Sequence, residues 1–154
     1  MGEPDILFES EKRGHLSSIG LVSLSPIRHN MKFFTTTFSG SAKSAEMSYV
    51  LDELHKHFQR KIILIWDNLQ GHKGLQAKYE REHPEWFHLE RLPTYSPELN
   101  VVELCWNQIK NVEMANFVPK NQKQVVTQVK LATHTINKNK TLLQNFLKHI
   151  RRRR

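Results

Sequence analysis

Lys61-Ile-Ile-Leu-Ile-Trp-Asp67 is a short, unbroken apolar run that stops on a carboxylate. A run of this length, rich in β-branched residues, reads as a strand buried on both faces. In an open α/β sheet, ligands gather beyond the carboxyl ends of the strands, where a side chain projects from a rigid base. Asp67 stands at that point. A turn or helix-cap role explains an Asp at a strand end equally well, and the run alone does not choose between the two.

Working outward, Leu16 to Ser23 and Met31 to Phe38 are β-rich runs joined by a loop at Pro26, the pattern of a hairpin. Met47, Val50, Leu51, Leu54 and Phe58 then recur at helical spacing, with Ser44 as the expected N-cap. A second helix is expected over Gly74 to Glu82, closed by Pro84, and a strand over Phe87 to Leu92. Pro93 to Leu99 reads as a turn-rich loop. A third helix sets Val102, Cys105, Trp106, Ile109 and Val112 on one face. Two more helices follow Pro119, carrying Val125, Val126, Val129, Ala132 and Ile136, then Leu142, Leu143, Phe146, Leu147 and Ile150. Strands alternating with helices imply an α/β fold whose sheet is covered on both faces.

The 154 residues suit one ordinary domain, and 38% apolar content argues against a disordered chain. No stretch approaches the roughly 18–20 uninterrupted apolar residues of a membrane span, and the first residues lack the pattern of a signal peptide. A single cysteine, Cys105, excludes an internal disulfide and a multi-thiolate zinc site, which fits a reducing cytoplasm. Charge is unevenly placed. No acid follows Glu113, while Lys120, Lys123, Lys130, Lys138, Lys140, Lys148, Arg151, Arg152, Arg153 and Arg154 supply ten positive charges. Since the whole chain carries +8, residues 1–113 sum to −2. Such a segment suits a phosphate backbone, although a solvated face with a frayed arginine tail accounts for it as well.

Glu103 comes 36 positions after Asp67. Asn100 is placed as an N-cap with Glu103 at N3, a relative of the capping box, so capping alone explains it. The two roles are compatible, because a helix-start carboxylate facing a strand-end carboxylate makes a hard-oxygen site of the kind Mg²⁺ prefers. His72 has no partner at zinc-ligand spacing; it orients a phosphate or a carboxylate, or caps the next helix.

Ile65-Trp-Asp-Asn-Leu-Gln-Gly-His72 and Leu92-Pro-Thr-Tyr-Ser-Pro-Glu-Leu-Asn-Val-Val-Glu-Leu-Cys-Trp106 together resemble the paired signature of mariner-like bacterial insertion-sequence transposases. The resemblance covers roughly residues 4–113. It implies a ribonuclease-H-like mixed sheet flanked by helices, with residues 1–113 as a partial catalytic domain and 114–154 as its basic helical extension. It also implies hydrolysis and strand transfer at DNA phosphodiesters, with three acids holding two Mg²⁺ or Mn²⁺ ions about 3.5–4 Å apart. Asp67 matches the family's second acid and Glu103 its third, while Asn68, His72, Tyr95, Pro97, Asn100 and Trp106 match positions that shape the site. DNA ends and target DNA are the implied partners, with a homodimer as the assembly and the bacterial nucleoid as the location. Val101 departs from the family's usual Pro, which removes a pre-set φ angle but no ligand.

The family's first acid ends a strand that precedes the hairpin, and the chain begins too late to include it. Glu9 is a substitute only as part of a tight hairpin, since six residues separate it from Leu16, and Asp5 precedes its apolar run. The expectation is therefore a partial product, truncated or made by frameshifting, with the first strand missing. Two other classes stay open: a catalytically inactive nucleic-acid-binding remnant, and a related ribonuclease-H-like nuclease that would not need the Tyr95-to-Trp106 block.

Overall fold

Strands β1 (Leu16–Leu24) and β2 (Met31–Ser39) pair antiparallel along their full length, with Gly20 opposite Thr35 and Val22 opposite Phe33. The turn between them closes when Ser25 N–H donates to the Asn30 carbonyl at 3.0 Å and His29 takes a left-handed φ of 52°. The computed structural model describes residues 15–67, 73–94 and 96–151. Its other elements are α1 (Ser44–Phe58), β3 (Ile62–Trp66), α2 (Lys73–Glu82), β4 (Phe87–Arg91), α3 (Val101–Gln108), α4 (Gln122–Lys138) and α5 (Lys140–Arg151). A 3₁₀ turn (Pro97–Leu99) leads into α3, and a π turn (Ile109–Glu113) comes directly after it.

The described residues fall into two compact units. In the hairpin unit, residues 15–40 join 97–151, and α3, α4 and α5 pack on β1 and β2. Its core is Phe33, Cys105, Ile109, Ala132, Ile136 and Leu143, all essentially without solvent contact. Two polar ties lock α4 to the hairpin. The Asn137 side chain accepts from Phe33 N–H at 2.8 Å and donates to Phe33 C=O at 2.7 Å, and the Thr35 and Thr133 hydroxyls pair at 2.9 Å. Asn137 thus serves the backbone of β2 as a neighbouring strand would.

The second unit lies within residues 41–96, where β3 and β4 form a parallel pair. Leu51 of α1, Leu75 and Tyr79 of α2, and Trp66, Trp86, Phe87 and Leu89 build its core. The Tyr79 hydroxyl donates to Asp52 Oδ1 at 2.8 Å, tying α2 to α1.

Each sheet has two strands among the described residues, one pair antiparallel and one parallel. The structure corrects the sequence-based expectations at three places. β3 is buried on one face rather than two: Trp66 is 8% exposed, but Ile63 and Ile65 are 69% and 65% exposed. An unbroken apolar run cannot report this, since it satisfies either arrangement. Lys43, not Ser44, is the N-cap of α1, with the Glu46 carboxylate accepting from Lys43 N–H at 2.8 Å. Val112 leaves the buried face of α3 and is 59% exposed, because the Met114 N–H to Ile109 C=O bond opens a π turn and rotates the residues within it. Among the described residues, no helix is long and apolar enough to cross a membrane.

Candidate functional site

Asp67 directly follows the last residue of β3 and is half-buried. Leu92 N–H donates to the Trp66 carbonyl at 2.9 Å, so the β3–β4 pairing is held up to the residue before Asp67. A strand end held in this way is a stiff base for a side chain. Continued one residue, the period-two alternation assigns Asp67 to the Ile63–Ile65 side of the sheet. Arg91, in register with Trp66, ends β4 beside it. Sequence reasoning did not single out Arg91, because only the parallel register brings it level with the end of β3.

Glu103 belongs to the hairpin unit, in the first turn of α3. Asn100 is its N-cap, as expected, and Asn100 Oδ1 accepts from Val102 N–H at 3.1 Å. The second half of a capping box would need the Glu103 carboxylate to accept from Asn100 N–H. That donor is already used: it bonds the Pro97 carbonyl of the preceding 3₁₀ turn at 3.0 Å. Glu103 is exposed, and its carboxylate forms no hydrogen bond or ion pair among the described residues. Local capping therefore accounts for Asn100, while for Glu103 it leaves only the favourable place of a carboxylate in the first turn of a helix.

Trp106 sits one turn further along α3 and meets Phe33 edge-on, with ring centroids 5.8 Å apart at 83°. The indole also covers Gly20 of β1, where a Cβ would fall 2.9 Å from Cζ2 and Nε1. Gly20 is thus part of the support of α3, a role with no signal in the sequence other than a glycine inside a strand. Cys105 is fully buried beside it, and burial pushes its thiol up to about 12. It is a core residue with no nucleophilic role.

Among the described residues, no three His, Cys, Asp or Glu side chains gather closely enough to hold a metal ion. Asn68, His72, Tyr95, Asp5, Glu9 and Arg152 to Arg154 lie outside the described residues. Of the basic positions singled out in the sequence, Lys120, Lys123, Lys130, Lys138, Lys140, Lys148 and Arg151 are all exposed.

A family described as DDE superfamily endonuclease matches residues 1–126. No curated protein and no solved structure matches the chain.

Proposed function

We propose, because the chain belongs to the DDE superfamily endonuclease family, that it is catalytic machinery of a DNA transposase of the mariner-like insertion-sequence type. In this reading Asp67 and Glu103 are two of three acids that hold divalent metal, and DNA is the substrate. The observation that carries it is the Glu103 carboxylate, which stands at the start of α3 with no capping bond to make. The donor chemistry fits a hard cation, since both groups are carboxylates. Mg²⁺ or Mn²⁺, when bound, would supply charge neutralisation and an activated oxygen nucleophile at the phosphodiester.

The residues of the chain divide the remaining work. The end of β3 holds Asp67 in place, and Asn100 closes the first turn of α3 so that Glu103 projects from ordered backbone. Trp106 fixes the same helix to the hairpin. Asn68, His72 and Tyr95 would orient substrate or acids. In hydrolysis, a water oxygen bonds to phosphorus while the bond from phosphorus to the 3′ oxygen breaks, freeing a 3′-hydroxyl. In strand transfer, that hydroxyl bonds to a target phosphorus and displaces the target's own 3′ oxygen. The third acid is not among the described residues, and a homodimer holding two DNA ends would be the working assembly. The bacterial nucleoid is the location that goes with this reading.

Nicking of a supercoiled plasmid in Mg²⁺ or Mn²⁺, by the chain alone or with the strand that carries the first acid supplied, tests it: Asp67→Ala and Glu103→Ala each abolish the metal-dependent nicking. Nicking that survives Asp67→Ala would overturn the assignment. The second reading is DNA binding without cleavage, favoured by the lack of a three-ligand cluster among the described residues. Salt-sensitive DNA binding with no metal-dependent nicking would select it.

A further inference from the structure

The net charge of the protein follows its division into two units. Residues 41–96 hold eight acids and eight lysines and arginines, whereas the described part of the hairpin unit holds ten lysines and arginines against three acids, Glu98, Glu103 and Glu113. The ion pairs of Lys56, Lys78 and Arg81, and the contacts of His83 with Glu85 and of His88 with Glu90, lie in the second unit. The lysines of α4 and α5 have no acidic partner there, and neither helix contains an acid.

On α4 these charges are ordered. Lys123, Thr127, Lys130, His134 and Lys138 are all exposed and follow the helical repeat, falling within about 80° of arc. The opposite face, Val126, Val129, Ala132 and Ile136, is buried in the core. Three lysines spaced by roughly 10.5 and 12 Å therefore run along about 22 Å of one solvent face. Thr127 turns its hydroxyl to the Lys123 carbonyl at 3.0 Å, so it offers little to a nucleotide base. The rail is also firmly mounted, because Asn137 and Thr133, beside it on the helix, fasten α4 to β2.

We propose that the Lys123–Lys130–Lys138 face of α4 is a sequence-independent binding rail for the phosphate backbone of duplex DNA. The proposal rests on the reading that DNA is the partner of this chain but requires no cleavage. Unpaired lysines at this spacing each neutralise a separate phosphate and release its counterions. Thr127 and His134 lie between them where a base-reading surface would present several directional groups. An anionic bilayer fits less well: the apolar side of α5 is committed to the core through Leu142, Leu143 and Phe146, so this basic helix has little to insert.

The test is fluorescence anisotropy of a labelled mixed-sequence DNA duplex in EDTA, with the triple variant Lys123→Gln/Lys130→Gln/Lys138→Gln and a control triple of equal charge loss, Lys56→Gln/Arg60→Gln/Lys61→Gln. Thermal unfolding establishes that both variants fold. The rail triple is expected to reduce the slope of log K against log salt by about 2.7, for three phosphates. Between about 50 and 200 mM salt, its affinity then falls roughly 40-fold less than that of the unmodified chain. The loss should be the same for duplexes of different sequence, and the control triple should change the slope by much less. Equal effects of the two triples, or a loss confined to one duplex sequence, would overturn the rail while leaving the DNA reading standing. Absence of duplex binding by the unmodified chain, with or without binding to phosphatidylserine vesicles, would overturn both. Metal-dependent nicking is read in a separate assay with Mg²⁺, so failure of the cleavage reading shows itself independently of duplex binding in EDTA.

Discussion

The indole of Trp106 lies against the backbone of Gly20 so closely that a Cβ there would sit 2.9 Å from two of its ring atoms. The helix carrying Glu103 is thus seated on β1 by the absence of a side chain. Gly20→Ala should cost about 1–3 kcal/mol through overpacking, and Trp106→Ala about 3 kcal/mol or more through the space it leaves. Urea unfolding measures both. Gly20→Ala without loss of stability would mean that the indole shifts freely and α3 is not seated on Gly20.

Asn100 and Glu103 should separate on mutation. Asn100→Ala removes the bond to Val102 N–H and is expected to cost roughly 1 kcal/mol. Glu103→Gln removes no hydrogen bond among the described residues and should lose no more than a helix-dipole interaction, at most about 0.3–1 kcal/mol. Chemical denaturation compares them. A larger loss for Glu103→Gln than for Asn100→Ala would return Glu103 to a structural role.

Asn137 bridges both backbone groups of Phe33, and Asn137→Leu leaves a partly buried donor and acceptor without partners. The expected cost is about 1–3 kcal/mol. Hydrogen exchange at the Phe33 amide should accelerate, and an unchanged rate would show that the amide is protected by something other than Asn137.

Burial raises the Cys105 thiol to about 12 from an ordinary value of 9.0, and the sign of the consequence comes from proton binding. Below about pH 9 both states keep the proton. Between about 9 and 12 the unfolded thiol ionises while the folded one does not, so stability falls as pH rises, by up to about 1.4 kcal/mol per pH unit. The Tyr79 hydroxyl, also raised by burial and by its bond to Asp52, adds to the same trend. Denaturation curves across this range should be shallower in pH for Cys105→Ala. Iodoacetamide should label Cys105 only under unfolding conditions.

Much of the local order was legible in the residues. The hairpin announced itself through two β-rich runs around Pro26, and α3 began at Asn100 because a short side chain at that position caps helices. β3 was legible as a strand but not in its burial, since Ile63 and Ile65 look alike whether covered or open. The π turn at Ile109 had no pattern of its own, and it moved Val112 off the expected face. Gly20 under Trp106 and Asn137 on Phe33 join residues far apart in the chain, and no local periodicity encodes such pairs. For the candidate site, the sequence marked Asp67 and Glu103, and the structure added that Asn100 N–H is already bonded to Pro97. That bond is what separates the Glu103 carboxylate from an ordinary cap.

Mn²⁺ binding measured by electron paramagnetic resonance tests the central claim most directly, because it needs no knowledge of the DNA substrate. If Asp67 and Glu103 hold a metal together, the unmodified chain binds Mn²⁺, and Asp67→Asn and Glu103→Gln each weaken that binding at least about tenfold. The double variant is then little worse than either single one, as expected for groups that act as a unit. Mn²⁺ binding unchanged in both single variants, or losses that add independently, would contradict the account.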